Sequence, residues 1–253
     1  MSASFSVGFG GGRTATAVRV GTPSDVPAAL AALGLRGPRP VVVLVGGAGG
    51  LDAGALDRLR PLFEQGLAPL AERLGAVLVD GGTDSGVMHL LGRARSERGA
   101  TFPLVGVAAA GTVSFPGGRS EHDDAAPLDA HHTHFVLVPG RDWGVESPWI
   151  ARVATELAGG SPSATVLVNG GEIAYEDVEH SLAAGRPVLA IAGSGRTADE
   201  LARAVQGGPA DERAVRLAAS GLVRVVEAGD PGALARALGA VLQDGPGADT
   251  RPA

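Results

Sequence analysis

Seven short runs of consecutive apolar residues recur along the chain: Val41–Val45, Ala76–Val79, Pro103–Val107, His134–Val138, Ala164–Val168, Pro187–Ala192 and Leu222–Val226. They do not alternate with polar residues, so they read as strands covered on both faces, as in a parallel sheet. An eighth run, Thr16–Val20, reads as an added edge. Between the runs lie Ala-, Leu- and Arg-rich stretches with helical spacing: Ala53–Leu74, Val87–Arg98, Ser147–Leu157, Glu172–Ala184, Thr197–Gln206, Asp211–Ala219 and Pro231–Leu242. This rhythm predicts an α/β fold, a doubly wound and mainly parallel sheet with helices on both faces.

No Pro/Ser-rich linker and no repeat divides the sequence. It reads as one domain over residues 1–243, with a ragged start and a disordered tail over residues 244–253. The connection Ala110–His131, rich in Gly, Pro, Asp and His, far exceeds the roughly two to six residues usual between such elements. It reads either as a ligand flap or as a surface insertion.

Composition removes several chemistries. The chain has no cysteine, which excludes a disulfide scaffold, thiol catalysis and iron–sulfur ligation. All 21 basic residues are arginine, so no P-loop or Schiff-base lysine exists. A net charge of −6 argues against nucleic acid as a partner. No apolar stretch approaches the roughly 20 residues of a membrane span, and MSASFSVGFGGG lacks a secretory pattern, so a cytoplasmic protein without membrane insertion is expected.

The glycines matter by position. In a parallel sheet, ligands bind beyond the carboxyl ends of the strands. Five predicted strands run into glycine loops there: Gly46, Gly47, Gly49 and Gly50; Gly81, Gly82, Thr83, Asp84, Ser85 and Gly86; Gly140 and Gly144, followed by Glu146; Gly170 and Gly171; and Gly193, Ser194, Gly195 and Arg196. Such loops let an anion approach backbone N–H groups, so these residues form the expected site for a nucleotide-like anion. Arg196, in a glycine turn at a helix start, suits a fork onto phosphate.

GGAGG lacks the residues of a P-loop. GSGRTA (Gly193–Ala198) formally matches a dinucleotide fingerprint, but the next strand-end acid, Glu227, lies well beyond the usual spacing of about 20 residues. His131, His132 and His134 invite a metal reading, but no third ligand follows at a recognisable spacing, so no metal is assigned; His132 is expected at the crevice mouth and His134 in a strand-end hydrogen bond. Of Trp143 and Trp149, one suits stacking on a base and the other core packing.

Five stretches in order, GGTDSGVMHLLGRA, GVAAAGTV, HTHFVLVPG with GVESP, VLVNGGEI and PVLAIAGSGRTAD, resemble the SLOG domain of melastatin-type transient receptor potential channels, and especially its stand-alone prokaryotic relatives, the LSDAT group. The resemblance spans roughly Pro40 to Ala204 and implies a Rossmann-like domain that senses a nucleotide derivative such as ADP-ribose or an NAD derivative. It implies that Arg152 and Arg196 engage the ligand, with Thr83, Asp84 and Ser85 beside phosphate or ribose and Asp80 orienting the turn. Lonely Guy phosphoribohydrolases share the superfamily and a PGGxGTxxE motif. Here the matching stretch Pro139–Glu146 replaces the second glycine and the threonine, and its acid is nearer.

Two functions follow as expectations. The first is a sensor that binds its nucleotide without turnover, needs no cofactor, and signals to an effector, a membrane-protein partner or a second copy, with a homo-oligomer expected by analogy. The second is a hydrolase acting on a nucleotide N-glycosidic or phosphoester bond, with Glu146 and Asp84 or Asp80 as catalytic candidates.

Overall fold

A strand that is apolar at consecutive positions must be covered on both sides, and here two helical layers do so. The computed structural model describes residues 3–47, 49–118 and 125–244. Its elements are β1 (Phe5–Gly8), β2 (Thr14–Arg19), α1 (Val26–Ala32), β3 (Val41–Gly46), α2 (Ala53–Pro61), α3 (Ala68–Leu74), β4 (Val77–Asp80), α4 (Gly86–Glu97) and β5 (Leu104–Ala109). Then come β6 (Val113–Ser114), β7 (Ala126–Pro127), β8 (His134–Val138), α5 (Ser147–Ala158), β9 (Ser163–Val168), α6 (Glu172–Ala183), β10 (Val188–Ala192), α7 (Arg196–Val205), α8 (Glu212–Ala218), β11 (Val223–Glu227) and α9 (Pro231–Asp244).

Nine strands form one sheet in the order β1-β2-β8-β5-β4-β3-β9-β10-β11. Every neighbouring pair is parallel except β1 with β2. Alternate residues serve opposite faces: Val41, Val43, Val45, Val77 and Val79 pack with α1, α5, α6, α7 and α8, whereas Val42, Leu44 and Leu78 pack with α2, α3, α4 and α9. This is the Rossmann-like, doubly wound α/β architecture that the apolar runs predict, and each of the seven runs and seven helical stretches holds an element.

The structure corrects the sequence reading at the start of the chain, which is not ragged. Phe5–Gly8 forms β1, antiparallel to β2, and β2 in turn pairs with β8 from Thr16↔His134 to Arg19↔Leu137. β2 is therefore an inner strand. In β1 only Val7 is buried, so no apolar run announces it. Helix α1 is also unforeseen; ahead of it, Asp25 Oδ2 accepts the N–H groups of Gly21 and Thr22 at 3.0 and 2.8 Å.

The stretch Ala53–Leu74 is helical throughout but winds as a π-helix over Leu62–Leu67. Pro61 precedes that segment and Pro69 follows it; each removes an N–H from the ordinary ladder. The connection Ala110–His131 is tied down at both ends by the β6–β7 ladder and an antiparallel bridge between Thr83 and Leu128. Its residues 119–124 lie outside the described residues. So does the expected tail, apart from Asp244, which ends α9. Among the described residues no helix is long and apolar enough to cross a membrane.

Candidate functional site

Because β3, β4, β8, β9 and β10 are parallel, their carboxyl ends share one edge of the sheet. From β3 the chain turns toward β4 on one side, while β9 receives the crossover from β8 on the other. The loops after β3 and β9 therefore part and open a crevice between them, as at other topological switch points. A cleft of about 470 Å³ lies there.

Its walls come from several elements. Gly46, Gly47 and Gly49 line it after β3, Gly81 and Thr83 after β4, and Gly171 and Glu172 after β9. At Gly47 a Cβ would stand 2.6 Å from Asn169 Oδ1, so only glycine lets these two loops approach. Trp143, 43% exposed, stands at the cleft, and Met88, Ile150 and Ile173 give it apolar surface. Trp149 packs against the core instead.

Arg196 is the cation of the cleft. Its Nη1 donates to Gly49 O at 3.3 Å. A Cβ on Gly50 or on Gly171 would come within 2.9 Å of the guanidinium, which is thus wedged between the loops after β3 and β9. Arg196 has φ +51° and Asn169 φ +60°, the two non-glycine residues with positive φ among the described residues. Such strain persists only where the surroundings enforce it. Here they do: Asn169 N–H donates to Ser194 Oγ at 2.8 Å, its Nδ2 to Ser194 O at 2.8 Å, and Thr197 Oγ1 to Gly171 O at 3.0 Å.

Besides Glu172, two more carboxyl groups face the same space. Glu146 lies just before α5, with Oε2 accepting the Gly144 N–H at 3.0 Å, and burial holds its carboxyl above the usual range. Asp177, on α6, is pushed up to about 7 by burial, with the charges of Glu146 and Glu176 adding to it, and its Oδ1 has no hydrogen-bond partner. A carboxyl whose pKa is raised in the fold stabilises it fully below the unfolded value of about 4 and loses that contribution as pH rises through about 7. Replacing Asp177 by Asn should therefore stabilise the protein at pH 8 by about 1–2 kcal/mol, discounted for partial exposure, and leave pH 4 nearly unchanged. Urea unfolding at the two pH values checks this; equal shifts at both would show that Asp177 is not a buried acid.

The remaining residues expected at the site lie elsewhere. Arg152 does not line the cleft: it pairs with Glu156 at 3.8 Å, one turn along α5. Asp84 also stands outside it and bonds His89, and Ser85 Oγ meets Thr83 Oγ1 at 3.1 Å. Gly82 packs its Cα against Gly106, Gly86 opens α4, Gly140 sits against Val145, Gly144 against Ile173 and Gly170 against Ala174. Gly193 and Ser194 line a separate crevice near Arg58 and Glu227, and Gly195 abuts the Asn169 amide. These positions shape the loops rather than the walls. Asp177, Met88, Ile150 and Ile173 escaped the sequence reading. The readable signal was spacing: Glu146 with Ile150 and Ile173 with Asp177 are four apart and share a helix face.

His132 is not at the crevice mouth. It is buried, with Nε2 2.8 Å from Asp80 Oδ1 and Nδ1 3.2 Å from Asp129 Oδ1. Burial alone would lower its pKa, but the Asp80 charge and the bonds to both carboxylates raise it to about 9. Asp80 Oδ1 also accepts the Gly82 N–H at 2.7 Å, so it does orient the turn after β4. His134 Nδ1 lies 2.7 Å from Thr133 Oγ1.

Comparison with known proteins agrees with this architecture. Residues 39–235 match the family described as SLOG in TRPM, prokaryote. The chain is 28% identical over 205 residues to transient receptor potential cation channel subfamily M member 2 of Mus musculus, 67% of this chain and 14% of the channel. It is 29% identical over 211 residues to subfamily M member 4 of Rattus norvegicus, 68% and 17%, and 27% identical over 232 residues to a subfamily M member-like 2 protein of Nematostella vectensis, 76% and 15%. It thus spans about one sixth of these relatives or less. The X-ray structure of TM1055, a structural genomics target, superposes with a TM-score of 0.50 at 21% identity, over 74% of this chain and 91% of that one, a likeness of fold. With its Rossmann-like sheet and a match over most of its length, the chain belongs to the prokaryotic SLOG-in-TRPM family.

Proposed function

We propose that the cleft binds a nucleotide-derived diphosphate, ADP-ribose or an NAD derivative, and that the chain is a cytoplasmic ligand-binding domain that passes occupancy to a partner or to a second copy of itself. The observation that carries this reading is the Arg196 guanidinium held between the loops after β3 and β9 at the switch point. Its contact with Gly49 O is long, so an entering phosphate exchanges a weak bond for a charge-assisted one and reaches glycine N–H groups as well. The Glu146 and Asp177 carboxyls suit ribose hydroxyls, and Trp143 offers a face to a base.

Calorimetric titration with ADP-ribose, NAD and AMP tests this. Arg196→Ala should weaken the bound nucleotide by about 1.5–3 kcal/mol, roughly 10- to 150-fold. Unaltered affinity would remove Arg196 from the site and this reading with it.

A second reading, an N-glycosidic hydrolase, is favoured by one observation: two acids with raised pKa values line the cleft. A carboxyl that keeps its proton near neutrality suits protonation of a leaving group. Steady product release from a nucleotide, abolished by Glu146→Gln, would establish turnover. Binding without product leaves the sensor.

A further inference from the structure

Outside the cleft, Asp84, His89 and Asp129 bring one donor atom each to within 4.8 Å of one another. His89 Nδ1 lies 2.5 Å from Asp84 Oδ1 and 3.5 Å from Asp129 Oδ2. The three come from different elements: the turn after β4, the first turns of α4, and the returning end of the long connection. Backbone bonds fix that meeting. Asp84 N–H donates to Pro127 O at 2.8 Å, and Asp129 N–H donates to Gly82 O at 2.9 Å. Gly92, three residues after His89 on α4, admits Asp129 to the helix surface; a Cβ there would stand 2.6 Å from Asp129 Oδ1.

Asp129 supplies a second and independent observation. It is fully buried, and its Oδ1 accepts the His131 N–H at 2.7 Å and faces His132 Nδ1. Its Oδ2, also buried, has no hydrogen-bond partner and is turned toward His89. A buried carboxylate oxygen without a donor is costly.

We infer that Asp84, His89 and Asp129 form a binding site for a divalent transition-metal ion of the zinc class, ligated by the imidazole Nδ1 and one oxygen of each carboxylate, with water in the remaining positions. The donor set selects the class, because an imidazole among carboxylates suits zinc, cobalt or manganese, whereas calcium and magnesium take all-oxygen sites. Ligands at about 2.1 Å from such an ion stand roughly 3.0–3.4 Å apart. The 3.5 Å separation is close to that range, the 2.5 Å one widens when the ion displaces the hydrogen bond, and the Asp84 and Asp129 oxygens, within 4.8 Å, close around it. The site is distinct from the nucleotide cleft, and its existence does not depend on the function proposed there.

The test uses tag-free protein stripped with EDTA, titrated with Co²⁺ by absorption spectroscopy and with Zn²⁺ in competition with a chromophoric chelator. One ion per chain is expected. His89→Ala and Asp84→Asn should each weaken binding at least about 10-fold, since loss of a ligand costs no less than loss of a group that only orients one. His180→Ala, on α6, should keep wild-type affinity. Asp129→Asn is avoided because Asp129 also holds His132, and circular dichroism confirms that the other variants are folded. If His89→Ala does not fold, Asp84→Asn decides. Wild-type affinity in the folded variants, or no ion retained by the wild type at millimolar metal, overturns the assignment; the His89–Asp84 hydrogen bond alone then accounts for the cluster.

Discussion

Replacing His132 by alanine is expected to lower the unfolding free energy by about 3–5 kcal/mol, because it strands two buried carboxylates that this imidazole separates. The effect has a pH signature. A histidine whose pKa rises from about 6.5 to about 9 on folding adds stability that is complete below pH 6.5 and is lost as pH climbs through 9. The wild type should therefore lose about 3 kcal/mol across that window through this group, and the variant should not. Urea titrations from pH 6 to 10 measure both profiles. Parallel curves would mean that the imidazole is neutral in the folded chain.

Gly106→Ala should cost about 3 kcal/mol or more. Gly106 lies in β5 between Asp80 of β4 and Phe135 of β8. An added Cβ would meet Gly82 Cα at 2.6 Å and the Phe135 ring at 2.7 Å. Neither neighbour yields cheaply, since one is backbone and the other is a ring with no exposed surface. The displaced turn also carries Gly81 and Thr83 to the cleft, so affinity for the proposed nucleotide should fall together with stability. Gly81→Ala is the contrast, because its Cβ would meet nothing within 4 Å. Thermal unfolding of the two variants separates them, and a Gly106→Ala midpoint equal to that of the wild type would contradict the close approach.

The sheet was legible because burial on both faces leaves a signature in composition: Val41 to Val45 can hardly be anything but a central strand. The first strand left none. With one buried residue of four, β1 is held by its ladder to β2 rather than by its side chains. The side of the molecule that opens was legible too, since glycine loops cluster where parallel strands end. Which loop residues face the opening was not. Gly82 and Gly47 both need to be glycine because of close neighbours distant in sequence, Gly106 and Asn169, yet only Gly47 lines the cleft. Arg152 shows the same limit, for motif order marks its helix but not the side on which its guanidinium emerges. Asp129 was invisible because its meeting with His132 and His89 depends on how a long connection folds back.

The family match begins at residue 39, yet β2 and α1 lie before it and are integral to the body. β2 satisfies the outer peptide groups of β8, while Val26 and Leu30 of α1 are buried against the shared core. A polypeptide begun at residue 39 would retain the matched region and bare a hydrophobic flank with an open hydrogen-bonding edge, a template for joining other chains. The leading segment thus covers that edge and flank, and clumping after its removal would say nothing about the ligand.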